Sequence, residues 1–196
     1  MHCLLSRAAF TRRGVTAAFL AGLMALTLVS RADAIVYDGT PDLALTSAMV
    51  AAGGGPEHFS SSTLFNVVTG SQSGSEATKL TNQFGAADVK NTFAIFDFAV
   101  NDVIRIVTAK HIALPPPSPS PTDAKALAVA LYQAGMTPKG VWDVGYMLEH
   151  LVTHPIHHVM MHDIDAKFSA DKNARFHIVL AQMMDDLAMA YRTSSR

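Results

Sequence analysis

Thiol chemistry is almost missing from this sequence: its 196 residues hold one cysteine, Cys3, in a stretch with the make-up of a removable leader. With no second sulfhydryl and no C-x-x-C-H run, the chain forms no intramolecular disulfide, attaches no c-type haem and builds no thiolate metal centre. An excess of one charge is missing as well. Fifteen basic and sixteen acidic residues leave a net charge of −1, which gives no basic surface for the phosphates of a nucleic acid.

Apolar runs fall short of a membrane span. Ala17 to Val29 covers 13 residues, whereas crossing a bilayer core takes about 20, so no stable membrane anchor is expected. The run follows Arg7, Arg12 and Arg13 and precedes Ala32-Asp33-Ala34, the order of a secretory signal with a small-x-small cleavage site. Residues 1–34 are therefore expected to be a cleaved signal peptide. Residues 35–196 are then one exported domain, periplasmic or secreted. Thr11-Arg12-Arg13 opens like a twin-arginine signal and Gly14-Val15-Thr16 continues it poorly, which leaves both export routes open. Loss of the leader removes Arg7, Arg12, Arg13, Arg31 and Asp33, giving the domain a net charge of −4.

Strand patterning is scarce too, since apolar residues recur at helical spacing and no stretch alternates for long. Thr40-Pro41-Asp42 offers a helix start, with Thr40 as cap, Pro41 at the first helical position and Asp42 near the positive end of the dipole. Gly53, Gly54 and Gly55 stop that helix. Two short helices follow, one carrying Leu64, Phe65 and Val68, the other led by Ser75-Glu76 and ending at Gly85. The longest helix is expected from Ala87 to His111. Its stripe of Val89, Phe93, Phe96, Val100, Val103, Ile104 and Val107, with Ile95, Phe98 and Ile106 off the stripe, predicts a central helix packed by several neighbours. Asp97 and Asn101 on it would be partly buried and need partners.

Pro115, Pro116, Pro117, Pro119 and Pro121 make residues 114–121 a stiff, non-helical spacer. Thr122-Asp123 starts the next helix and Thr137-Pro138 the one after it. Ser169 caps a last helix, on which Phe176, Val179, Leu180, Met183, Leu187 and Tyr191 face inward. The expected fold class is all-α: a single-domain helical bundle or a globin-like array of six to seven helices.

What the chain has in excess is histidine in one place. His150, His154, His157, His158 and His162 fall within thirteen residues of a chain that holds nine histidines. Pro155 divides the run and allows two geometries. A kinked, continuous helix puts His150, His154, His158 and His162 in one row at four-residue steps; a broken one ends at His154 and crowds His154, His157 and His158 at a corner. Two imidazoles one turn apart can hold one ion, and neutral imidazole suits zinc, copper, nickel and iron. Met160 and Met161 lie among the histidines, and thioether sulfur favours cuprous copper, although methionine also serves as a flexible core filler.

The pattern points to transition-metal binding, copper or zinc, through His150, His154, His158 and His162, with Met160, Met161 and His177 as auxiliaries. Behind it stands a b-type haem, with one axial ligand from this segment and a second, His177 or a methionine, from the last helix; His58 and His111 are further candidates. Two other readings compete. One is a structural or protein-interaction module with no cofactor, whose exposed histidines respond to pH. The other is a metal-dependent enzyme, which needs an open coordination position. Motifs that would name an enzyme are missing: there is no H-E-x-x-H, no pair of Glu-x-x-His, no G-x-S-x-G and no phosphate loop. Asp143 and Glu149, near the histidines in sequence, are the carboxylates available as acid, base or orienting partner.

Overall fold

Asp42, two residues beyond the expected cap Thr40, starts the first helix of the computed structural model, which describes residues 40–152 and 154–193, with the backbone alone for residues 154–159 and Thr193. The Asp42 carboxylate accepts from the Leu45 N–H at 2.9 Å and opens α1, Leu43–Ala52. The Asp42 N–H donates to the His150 carbonyl at 2.6 Å. That bond holds Asp42 just outside the helix and so gives it the capping role. The expected signal peptide lies outside the described residues.

The three glycines stop α1 as expected. Gly53 is also required by packing, because a Cβ there would lie 2.3 Å from the ring of Phe59. α2, Ser61–Thr69, passes through one 3-10 turn, Gly70–Gln72, into α3, Ser73–Phe84. Gly85, at φ 88°, then turns the chain into α4, Ala86–Ala109. The proline-rich stretch is non-helical as predicted, yet it does not hang free. Leu114 packs partly buried against the core, and the Ser118 N–H donates to the Ala44 carbonyl of α1 at 3.2 Å.

α5, Ala124–Gly135, is capped by Asp123 through the Ala126 N–H at 3.0 Å. Thr137-Pro138, expected to start the following helix, closes a turn instead. The Thr137 N–H and hydroxyl both reach the Val141 carbonyl, at 3.0 and 2.7 Å, and Gly140 takes φ 75°. A left-handed residue at that point cannot continue a helix. The start passes to Asp143, whose carboxylate accepts from the Tyr146 N–H at 2.9 Å and opens α6, Val144–Leu151. The turn also seats Trp142 against Gly135, where a Cβ would lie 2.3 Å from the indole. α7, His154–Phe168, and α8, Ala170–Thr193, complete the chain. Ser169 stands between them at φ 77°, its carbonyl accepting the Asn173 N–H at 3.1 Å.

The described chain is thus all-α, a helical array with one isolated bridge, Met136 to Trp142, outside the helices. α4 is the central element: Ile95, Ala99 and Val100 are fully enclosed, and α2, α3, α7 and α8 pack around it. The inward stripe of α8 is buried through Phe176, Val179, Leu180, Met183 and Leu187. Rings of Phe96 and Phe176, 6.5 Å apart, mark its contact with α4. Among the described residues no helix is long and apolar enough to cross a membrane.

Candidate functional site

The histidine segment adopts the broken geometry. α6 ends at Leu151, Val152 is extended at φ −140° and ψ 160°, and His154 opens α7 where it was expected to close a helix. Pro155 then occupies the first turn, where a missing N–H leaves no intrahelical bond unmade. α1 holds the end of α6 in place. The His150 carbonyl accepts from the Asp42 N–H at 2.6 Å and the Leu151 carbonyl from the Thr46 hydroxyl at 2.8 Å, so two terminal carbonyls without helical partners are satisfied by another helix.

His150 is buried, 5 % exposed. Its Nδ1 lies 3.0 Å from the Tyr146 carbonyl, and the Tyr146 ring meets it edge-on at 4.7 Å. A carbonyl only accepts, so Nδ1 carries the hydrogen and Nε2 the lone pair. Nε2 is itself enclosed. This is the way a backbone carbonyl fixes the tautomer and orientation of an imidazole that ligates metal.

The other sequence candidates are spread over different environments. The His162 side chain is 85 % exposed, with Nδ1 3.7 Å from the Asp163 carboxylate, so the four-residue row is divided between the interior and the solvent. Met160 is fully buried and Met161 packs partly buried against the core, which is the core-filling role of methionine. His177 is half-buried on α8. Burial pushes its pKa down, against the fields of Asp143 and Asp165, so the ring is neutral at pH 7. His58 and His111 are exposed, and Asp143 is engaged as the α6 cap. The side chains of His154, His157 and His158 lie outside the described residues. Among those described, no three His, Cys, Asp or Glu side chains gather where one ion could be held.

A second constellation, which the sequence reading missed, joins α3 to α8. Glu76 and Lys79 face Asp186 in a cleft of about 300 Å³ that Thr69, Gln72, Leu187 and Met189 also line. Lys79 Nζ lies 2.5 Å from Asp186 Oδ1, and Gln182 Nε2 donates to the same oxygen at 3.1 Å. The second oxygen, Asp186 Oδ2, and Glu76 Oε1 are enclosed and meet no donor among the described residues. Two carboxylates cannot bond each other unless one keeps its proton. Burial, helped by the hydrogen bond and the charge of Asp186, raises the Glu76 pKa to about 7 against the pull of Lys79. Near neutral pH Glu76 therefore keeps its proton for much of the time, beside the Asp186 carboxylate.

That proton has a consequence for stability. Folded Glu76 holds a proton that the unfolded chain, with its carboxyl at 4.5, has already released, so stability falls as pH rises from 4.5 to about 7. Glu76→Gln places an N–H₂ where the proton lies. It is expected to leave the melting temperature at pH 5 nearly unchanged and to raise it at pH 8 by about 2–4 °C, or about 1 kcal/mol after discounting for solvent screening. Calorimetry at the two pH values checks this, and equal shifts at both would rule the retained proton out.

The chain matches no protein-family model, no curated protein and no solved structure.

Proposed function

We propose that the protein is exported and binds a transition-metal ion at the α6–α7 corner, through Nε2 of His150 and the histidines at positions 154, 157 and 158 that open α7. The observation that supports this reading is the state of His150. The imidazole of His150 is buried, its Nδ1–H is tied to the Tyr146 carbonyl, and it stands in the last turn of α6 beside a helix break crowded in sequence with further histidines. The core position of Met160 favours an imidazole set over a methionine-rich one, and so zinc or cupric copper over cuprous.

The exposed His162 beside Asp163 favours one alternative, a pH-responsive interaction surface without cofactor. One experiment separates the readings. The full chain is expressed with its leader, recovered from the exported fraction, and examined by elemental analysis and visible absorbance. Stoichiometric zinc or copper is expected, lost in His150→Gln and His154→Ala and kept in His162→Ala. Metal-free protein would remove the metal reading, full retention by His150→Gln would remove the α6–α7 corner as its site, and a Soret band would put b-type haem in its place.

A further inference from the structure

We propose that α1 is the positioning element of the α6–α7 corner, and that the Thr46 hydroxyl, through its bond to the Leu151 carbonyl, sets how tightly that corner holds its metal ion. The inference rests on the metal reading of the corner and adds to it a residue outside the ligand set.

His150 is fastened to its own helix, since its Nδ1–H bonds the Tyr146 carbonyl one turn back. Its ring therefore moves with the end of α6. The histidines at positions 154, 157 and 158 move with the start of α7. The helical hydrogen-bond ladder stops between them, where Val152 is extended, so neither helix by itself fixes the distance from His150 to the other three. A coordination site needs its ligands held to within about 0.5 Å. That constraint has to come from a third element.

α1 supplies it. The Asp42 N–H donates to the His150 carbonyl at 2.6 Å and the Thr46 hydroxyl to the Leu151 carbonyl at 2.8 Å, so two donors one turn apart on α1 grip consecutive carbonyls beside the break. A hydroxyl has one hydrogen to give. The Asp42 carbonyl, 3.0 Å from the Thr46 hydroxyl, already accepts the Thr46 N–H at 3.0 Å, which leaves the hydroxyl hydrogen to Leu151. Thr46 is 1 % exposed, so water has no path to replace it. The support is itself firm, because Leu45, Ala48 and Met49 bury α1 in the core and the Asp42 carboxylate caps it at the Leu45 N–H. Groups that orient metal ligands from outside the coordination sphere typically change affinity by about 10–100-fold. The coupling runs both ways: an ion that is held better when α1 grips the corner makes α1 grip it better in turn.

Calorimetric titration of the exported chain, stripped of metal by a chelator, with zinc chloride and separately with cupric chloride tests this. Thr46→Val keeps the side-chain shape and loses the donor. Well below its melting temperature it should bind the ion at least about tenfold more weakly than the parent, and Thr46→Ser, which keeps the hydroxyl, should stay within about threefold. Hydrogen exchange on the parent chain gives a second reading that survives even if Thr46→Val fails to fold: the ion should slow exchange at the Asp42 amide more than at the amides of α3. Equal affinity in Thr46→Val and the parent, an equal loss in Thr46→Val and Thr46→Ser, or equal slowing at Asp42 and in α3 would each overturn the proposal and leave the metal site standing. A parent chain that binds neither ion would remove the metal reading and the proposal with it.

Discussion

Phe176→Ala is expected to lower the melting temperature by about 10 °C. Phe176 is 1 % exposed, and its ring stands 6.5 Å from that of Phe96, where the two longest helices, α4 and α8, meet. Truncating a buried phenylalanine costs about 3–5 kcal/mol, because the lost burial is joined by the cost of the cavity left behind. For a chain of this size each kcal/mol shifts the midpoint by about 2–4 °C. The site has little room to collapse, since α4 is held on its other sides by α2, α3 and α7. Ile178 supplies the control on the same helix. It is 52 % exposed, so Ile178→Ala should change stability by less than about 0.5 kcal/mol. Urea denaturation and calorimetry of the two variants check the contrast, and similar losses in both would show that α8 does not rest on this contact.

Phe176 lies on a stripe that periodicity alone identifies, and the same holds for most of the helices. Gly53 and Gly85 end their helices where glycine is expected to end them, and α5 starts at the predicted Thr122-Asp123, with Asp123 as its cap. Such signals are local. The two Thr-Pro starts failed because something outside the helix outweighed them. A tertiary bond from the His150 carbonyl holds Asp42 at the cap, and the left-handed Gly140 closes a turn in front of Asp143.

The histidine segment was legible as a crowd of ligands but not as a geometry. Pro155 permits a kink or a break, and the end of α6 is tied down by Asp42 and Thr46, about a hundred residues earlier in the chain. The acid cleft was less legible still. Glu76 and Asp186 are ordinary on their own helices, and only the packing of α3 on α8 makes them a pair. One signal was present: Asp186 stands between Met183 and Leu187 on a stripe that is otherwise apolar, where a carboxylate requires partners.

Asp97→Ala is expected to cost about 2 kcal/mol, because this carboxylate of α4 serves as the missing cap of α2. Ser60, the residue before α2, makes no capping bond with its side chain, and its hydroxyl pairs with Ser62 at 2.9 Å. Asp97 Oδ1 takes over by accepting the Ser61 N–H at 2.5 Å, while the Ser61 hydroxyl donates to the Phe93 carbonyl at 3.0 Å. A negative charge at the positive end of a helix, joined to a charge-assisted bond, is worth more than a neutral cap. Asp97→Asn keeps the acceptor and gives up the charge, so it should lose about half as much. The effect reaches the cleft along α2. The far end of that helix is held by the Tyr191 hydroxyl on the Val68 carbonyl, and Thr69 lines the acid pocket. In Asp97→Ala, hydrogen exchange should accelerate in α2 more than in α4. A variant whose α2 amides stay protected as in the parent chain would show that the helix is held from its Tyr191 end, with the carboxylate on α4 contributing little.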